Sequence, residues 1–129
     1  MRRKNLKRMA AHMRTIPQEM FDIISFRKGQ EVTPECDSIG CTIGICTVLD
    51  SKPLPMKSYG AIDFHTWSIG FTGIDDDERD WCFAPDWIDA DNTPLGAALR
   101  IEWLLDHGLP EDMDSQINGK APLCYTPKK

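Results

Sequence analysis

Over the first fourteen positions Leu6, Met9, Ala10 and Met13 recur at helical spacing, and the same stretch holds Arg2, Arg3, Lys4, Lys7, Arg8 and Arg14 and no acidic residue. This pattern predicts an amphipathic basic helix. Thr15-Ile16-Pro17 ends it, because the residue before a proline disfavours the α region; Pro17 then suits the start of a short turn carrying Met20, Phe21 and Ile24. From Thr33 to Leu49 the pattern changes. Thr33 is a good N-cap, Pro34 fits the first helical position and Glu35 the positive end of a helix dipole. Beyond Asp37 there is no charge, and apolar residues fall on every side of the helical wheel, which predicts a buried element. Thr42, Ile43, Ile45, Thr47 and Val48 are β-branched, and each mid-helix glycine costs ~1 kcal/mol relative to alanine, so residues 39–49 also read as a strand. Gly40 and Gly44, four apart on one helical face, favour the helix.

Asp50 to Tyr59, with Pro53 and Pro55, reads as a loop. Residues 60–71 alternate in part, yet Phe64, Trp67 and Phe71 share a helical face, and a short helix is expected. Asp75 followed by Glu78 is an aspartate form of the capping box and predicts a helix from about Asp76 to Phe83, limited by Pro85. The loop beyond it carries Trp87 and Ile88, expected to fold back onto the core. Thr93-Pro94 repeats the start signal of Thr33-Pro34. Leu95, Ala98, Leu99, Ile101, Leu104 and Leu105 form its apolar stripe, with Arg100 and Glu102 expected to face outward. His107, Gly108 and Pro110 supply the stop. Gly119, Pro122 and Pro127 suggest loose structure after Glu111. The expectation is a mainly α, compact single domain over residues 1–110, with about five helices around a buried central helix, and a loosely structured tail over 111–129. The alternative is an α+β fold with 39–49 as a strand.

A chain of 129 residues with 41% hydrophobic and 27% charged positions fits one globular domain and excludes wholesale disorder. The longest uncharged run, Ser38 to Leu49, falls short of the roughly 18 to 20 apolar residues of a membrane span. The basic N-terminus is followed by no apolar signal region, so a cytoplasmic location is expected. A net charge of −5 argues against phosphate-backbone binding by the molecule as a whole, although the basic N-terminal helix keeps nucleic acid as an alternative partner.

Candidate chemistry is sparse. Cys36, Cys41 and Cys46 stand five apart; on a helix such steps rotate successive thiols by about 140°, so the three do not meet at one ion. Buried core cysteines are expected and no metal or cofactor, with a cysteine-based metal or redox site as the alternative. Cys36, in the first turn after Thr33, is the one position suited to a lowered thiol pKa, but His12, His65 and His107 lie in unrelated contexts. Between Asp75 and Asp91 eight of seventeen residues are acidic, with Arg79 the only base. A calcium loop starting at Asp89 fails because Pro94 stands where glycine is needed. No phosphate loop, paired carboxylates in an apolar setting or Ser-His-Asp arrangement specifies an enzyme, and a non-enzymatic role is expected.

Leu6 to Met13, the Phe21-Asp22 step, Cys36 and Cys41 with Gly44, the segment ending at Phe83, and Thr93 to Gly108 with its Arg100-Ile101 step together resemble a group of small phage and prophage proteins with a Cys-x4-Cys-x2-Gly central segment. The resemblance implies a compact helical fold and a mobile-element origin, and carries no catalytic residue. Cys46, Asp37 and the dense acidic run at 75–80 depart from that pattern. The resulting expectation is a phage or prophage accessory protein of the host cytoplasm that binds a host or phage protein and so modulates a host system. Its binding residues are expected at Asp75, Asp76, Asp77, Glu78, Asp80 and Trp87, or else, for nucleic acid, at Arg2, Arg3, Lys4, Lys7 and Arg8.

Overall fold

The computed structural model describes residues 1–17, 46, 49, 50, 61–84, 87, 91 and 93–126, with the side chains of 61–65 excepted. The fold is mainly α: the described residues include five helices with defined bounds, and no strand. They are α1 (Arg3–Met13), α2 (Ala61–Thr72), α3 (Asp76–Phe83), α4 (Pro94–His107) and α5 (Met113–Ile117). Most of the segment from Thr33 to Leu49 lies outside the described residues, as do Met20, Phe21, Ile24 and Ile88. Within it Cys46 is helical and fully buried, with its thiol 3.9 Å from the Met9 carbonyl.

The stripe expected on α1 is the one buried: Leu6, Met9, Ala10 and Met13 are each 2% exposed or less. Burying a side chain of the size of Leu6 or Met9 contributes about 1.5–3 kcal/mol, enough to hold a helix that has no side-chain N-cap. α1 packs chiefly against α4 and also touches α2. Arg3 donates from Nη2 to the Leu105 carbonyl at 2.6 Å, and Arg14 grips Glu102 with two bonds of 2.9 and 2.6 Å. At its N-terminal end the Arg2 amide donates to the Thr72 carbonyl at 2.7 Å. The chain leaves α2 through Gly73, whose φ of +64° lies in the left-handed region that favours glycine.

α3 starts on a complete capping box. Asp75 Oδ1 accepts from the Glu78 amide at 2.8 Å, and the Glu78 carboxylate accepts from the Asp75 amide at 3.0 Å. The inner side of α3 buries Trp81, Cys82 and Phe83, and it packs on α4, where the Trp81 indole N–H donates to the Arg100 carbonyl at 2.9 Å. α4 begins as its Thr-Pro signal predicts, the Thr93 hydroxyl accepting from the Gly96 amide at 2.9 Å with Pro94 in the first turn. It ends at Gly108, whose φ is +76°.

Two expectations change. Arg100 does not face outward: it is fully buried, at a position three residues after Ala97 and four before Leu104 on the inward side of α4. The segment after Glu111 is not loose through residue 126. It forms α5, buries Gln116, Ile117 and Tyr125, and is clamped by the Gln116 side chain, which accepts from the Cys124 amide at 2.9 Å and donates to Asp112 at 2.6 Å.

Candidate functional site

The capping box raises the acidic residues on a firm platform. Asp75, Asp76, Asp77 and Asp80 are exposed and Glu78 is half-buried, while the opposite side of α3 is sealed in the core. Their carboxylates differ in how far they are already engaged. Asp75 and Glu78 cap the helix, and Asp76 pairs with Arg79, whose Nη1 also donates to the Ile74 carbonyl at 2.7 Å. The carboxylates of Asp77 and Asp80, three residues apart and exposed, have no hydrogen bond or ion pair among the described residues. Acidic residues in the first turn of a helix also complement its dipole, so part of this charge stabilises α3 itself.

Trp87 does not belong to this surface. It is 4% exposed, its indole N–H donates to the Trp81 carbonyl at 3.2 Å, and its ring meets Trp81 and Tyr125 edge-on at centroid distances of 5.2 and 6.1 Å. An aromatic ring worth so much buried area is held by the core, and the expectation that it faces a partner is corrected; the expectation that it folds back onto the core is met.

The basic residues of α1 are exposed but partly committed. Arg3 caps the C-terminal end of α4, Arg8 donates to the Leu49 carbonyl at 2.7 Å, and Arg14 is bound to Glu102. Arg2, Lys4 and Lys7 remain without a side-chain partner among the described residues. The structure also brings the two charged surfaces together. Arg2 lies against Gly73 and Thr72, two and three residues before the acidic run begins, so the basic end of α1 adjoins the acidic start of α3.

The feature that sequence reasoning missed is a buried polar centre on α4. Arg100 Nη1 donates to the Asp91 carbonyl at 2.9 Å and to the Tyr125 hydroxyl at 3.1 Å, and the guanidinium lies 4.4 Å from the centre of the Trp87 ring. Trp81, Trp87 and Tyr125 surround it in mutual edge-to-face contact. Burial raises the Asp91 carboxyl above its ordinary range against the opposing pull of Arg100, and burial pushes both the Tyr125 phenol and the Cys82 thiol up to about 12. A thiol held there is protonated at neutral pH and is not a nucleophile. The available signal was the Ala97, Arg100, Leu104 spacing, which places the arginine in line with core residues.

Among the described residues no three His, Cys, Asp or Glu side chains gather closely enough to hold a metal ion, and no helix is long and apolar enough to cross a membrane. Cys36, Cys41 and the His65 side chain lie outside the described residues. Comparisons with protein-family models, with curated proteins and with solved structures find no match.

Proposed function

We propose that this chain is a non-enzymatic binding protein that presents the outer face of α3 to a basic surface on another protein. The phage and prophage resemblance supports reading it as an accessory protein of the host cytoplasm, with a host or phage protein as the partner and modulation of a host system as the use of that binding. The observation that carries the reading is the pair Asp77 and Asp80, exposed on a helix anchored by a capping box and by Trp81, and without a counter-ion among the described residues. An acidic surface on an anchored helix steers an oppositely charged partner and loses little entropy on docking. Nucleic-acid binding through α1 has less support, because Arg3, Arg8 and Arg14 already serve intramolecular bonds.

The test is a pull-down from host lysate with wild type and with the charge reversals Asp76→Lys, Asp77→Lys and Asp80→Lys combined. Loss of a specific protein band from the variant, with its fold intact by circular dichroism, supports the reading. Retention of every partner removes it. Salt-dependent capture of DNA or RNA that vanishes when Arg2, Lys4 and Lys7 are neutralised would favour the basic surface instead.

A further inference from the structure

We propose that Asp91 and Arg100 are joined through internal water into a buried, water-mediated ion pair that seats the chain before α4 and the C-terminal segment on the core. Both residues are fully buried. Both carboxylate oxygens of Asp91, and Nε and Nη2 of Arg100, have no hydrogen-bond partner among the described residues. No direct ion pair joins the two side chains. They are nevertheless neighbours, since Arg100 Nη1 bonds the backbone carbonyl of Asp91 at 2.9 Å.

The four orphaned atoms are complementary. Nε and Nη2 form one edge of the guanidinium and offer donors only; the carboxylate offers acceptors only. Leaving a buried charged group unpaired costs several kcal/mol, so a group that serves both sides is strongly favoured. The signs of the two charges restrict what that group is. A cation is repelled by Arg100 and an anion by Asp91. A neutral molecule that accepts from the guanidinium edge and donates to the carboxylate meets both, and the smallest such molecule is water, which in protein interiors typically makes about three hydrogen bonds to otherwise unsatisfied groups.

The consequence is architectural. Arg100 also holds Tyr125 through Nη1, at 3.1 Å, and lies over Trp87. One hydrated arginine thereby ties α4 to residues on either side of it in sequence. The groups facing Asp91 are Arg100 and, beyond it, the Tyr125 hydroxyl, which the Asp91 charge pushes further up.

The full chain labelled with 15N tests this directly. A buried arginine gives a resolved Nε–H resonance, and a water-to-protein transfer experiment on wild type is expected to show a cross-peak from long-lived water to Arg100 Hε. Absence of that cross-peak, or an Arg100 edge bonded directly to a protein acceptor, overturns the proposal. A double-mutant cycle of Asp91→Ala and Arg100→Met by urea unfolding supplies the second arm, with Arg100→Lys in place of Arg100→Met if the latter does not fold. Coupling is expected: the double variant's unfolding constant rises about tenfold less than the product of the single effects. Strict multiplicativity means that the two side chains do not communicate and removes the bridge.

Discussion

Gly96 and Gly70 are both helical glycines, and the structure assigns opposite signs to their replacement by alanine. On helix propensity alone each substitution gains up to about 1 kcal/mol. At Gly70 nothing lies within 4 Å of the added Cβ, so the gain is realised. At Gly96 the Cβ would sit 2.6 Å from the Asp91 backbone carbonyl, 3.0 Å from the Thr93 hydroxyl and 3.3 Å from Arg100 Nη1. The nearest of these is main chain, and it is also the acceptor of the Arg100 bond, so it cannot retreat without loosening that bond. Overpacking of this kind costs about 1–3 kcal/mol, and a hydrogen bond to a charged group contributes about 1.5–3 kcal/mol. The two costs are alternatives, because a carbonyl that retreats relieves the clash, and a first-turn position realises only part of the propensity gain; Gly96→Ala is expected to destabilise by about 1–3 kcal/mol. For a chain of this length that lowers the melting temperature by roughly 4 to 12 °C, while Gly70→Ala raises it by about 2 to 4 °C. Urea unfolding and thermal melts of the two variants and wild type measure both. A Gly96→Ala protein that melts at or above wild type would refute the placement of the Asp91 carbonyl against the first turn of α4, and with it the account of Arg100.

Three further outcomes follow from the same structure. Asp75→Ala removes the acceptor of the Glu78 amide and is expected to cost about 1 kcal/mol, with faster amide exchange confined to the first turn of α3; unchanged exchange at Glu78 would show that the capping box does not hold the helix start. Burial raises the folded-state pKa of Asp91 and Arg100 opposes that rise without reversing it, so the contribution of this carboxyl is fully present below the unfolded pKa and falls as pH rises through the folded one, the pairing with Arg100 limiting the loss. The stability of wild type relative to Asp91→Asn should therefore fall as pH climbs from the ordinary carboxylate range, and a difference independent of pH would contradict the burial of this carboxyl. Cys82, fully buried with its thiol pushed up to about 12, should resist maleimide in the native protein and label only at the unfolding rate; rapid modification mapped to Cys82 by mass spectrometry would place it outside the core.

What was legible in the sequence is what neighbouring residues decide among themselves. The Leu6 to Met13 stripe, the Asp75–Glu78 capping box, the Thr93-Pro94 start and the Gly108 stop are local interactions within a turn or two of helix, and each appears where its residues predict it. The acidic residues of α3 were legible as exposed for the same reason: charged side chains on a short helix whose Trp81 and Phe83 must turn inward. Tertiary structure alone decided which charges are free and which are already used. Arg3, Arg8 and Arg14 look alike in a basic run, yet their partners lie 102, 41 and 88 positions away, a distance over which no periodicity carries information. The same holds for the core of α4. Arg100 reads as an outward charge until Trp87, Asp91 and Tyr125 converge on it, and the proline- and glycine-marked segment after α4 reads as loose until Gln116 and Tyr125 anchor it. Long-range packing made an arginine the centre of the core, because an aromatic face, a carbonyl and a phenol brought from separate parts of the chain can solvate a guanidinium that no local sequence could accommodate.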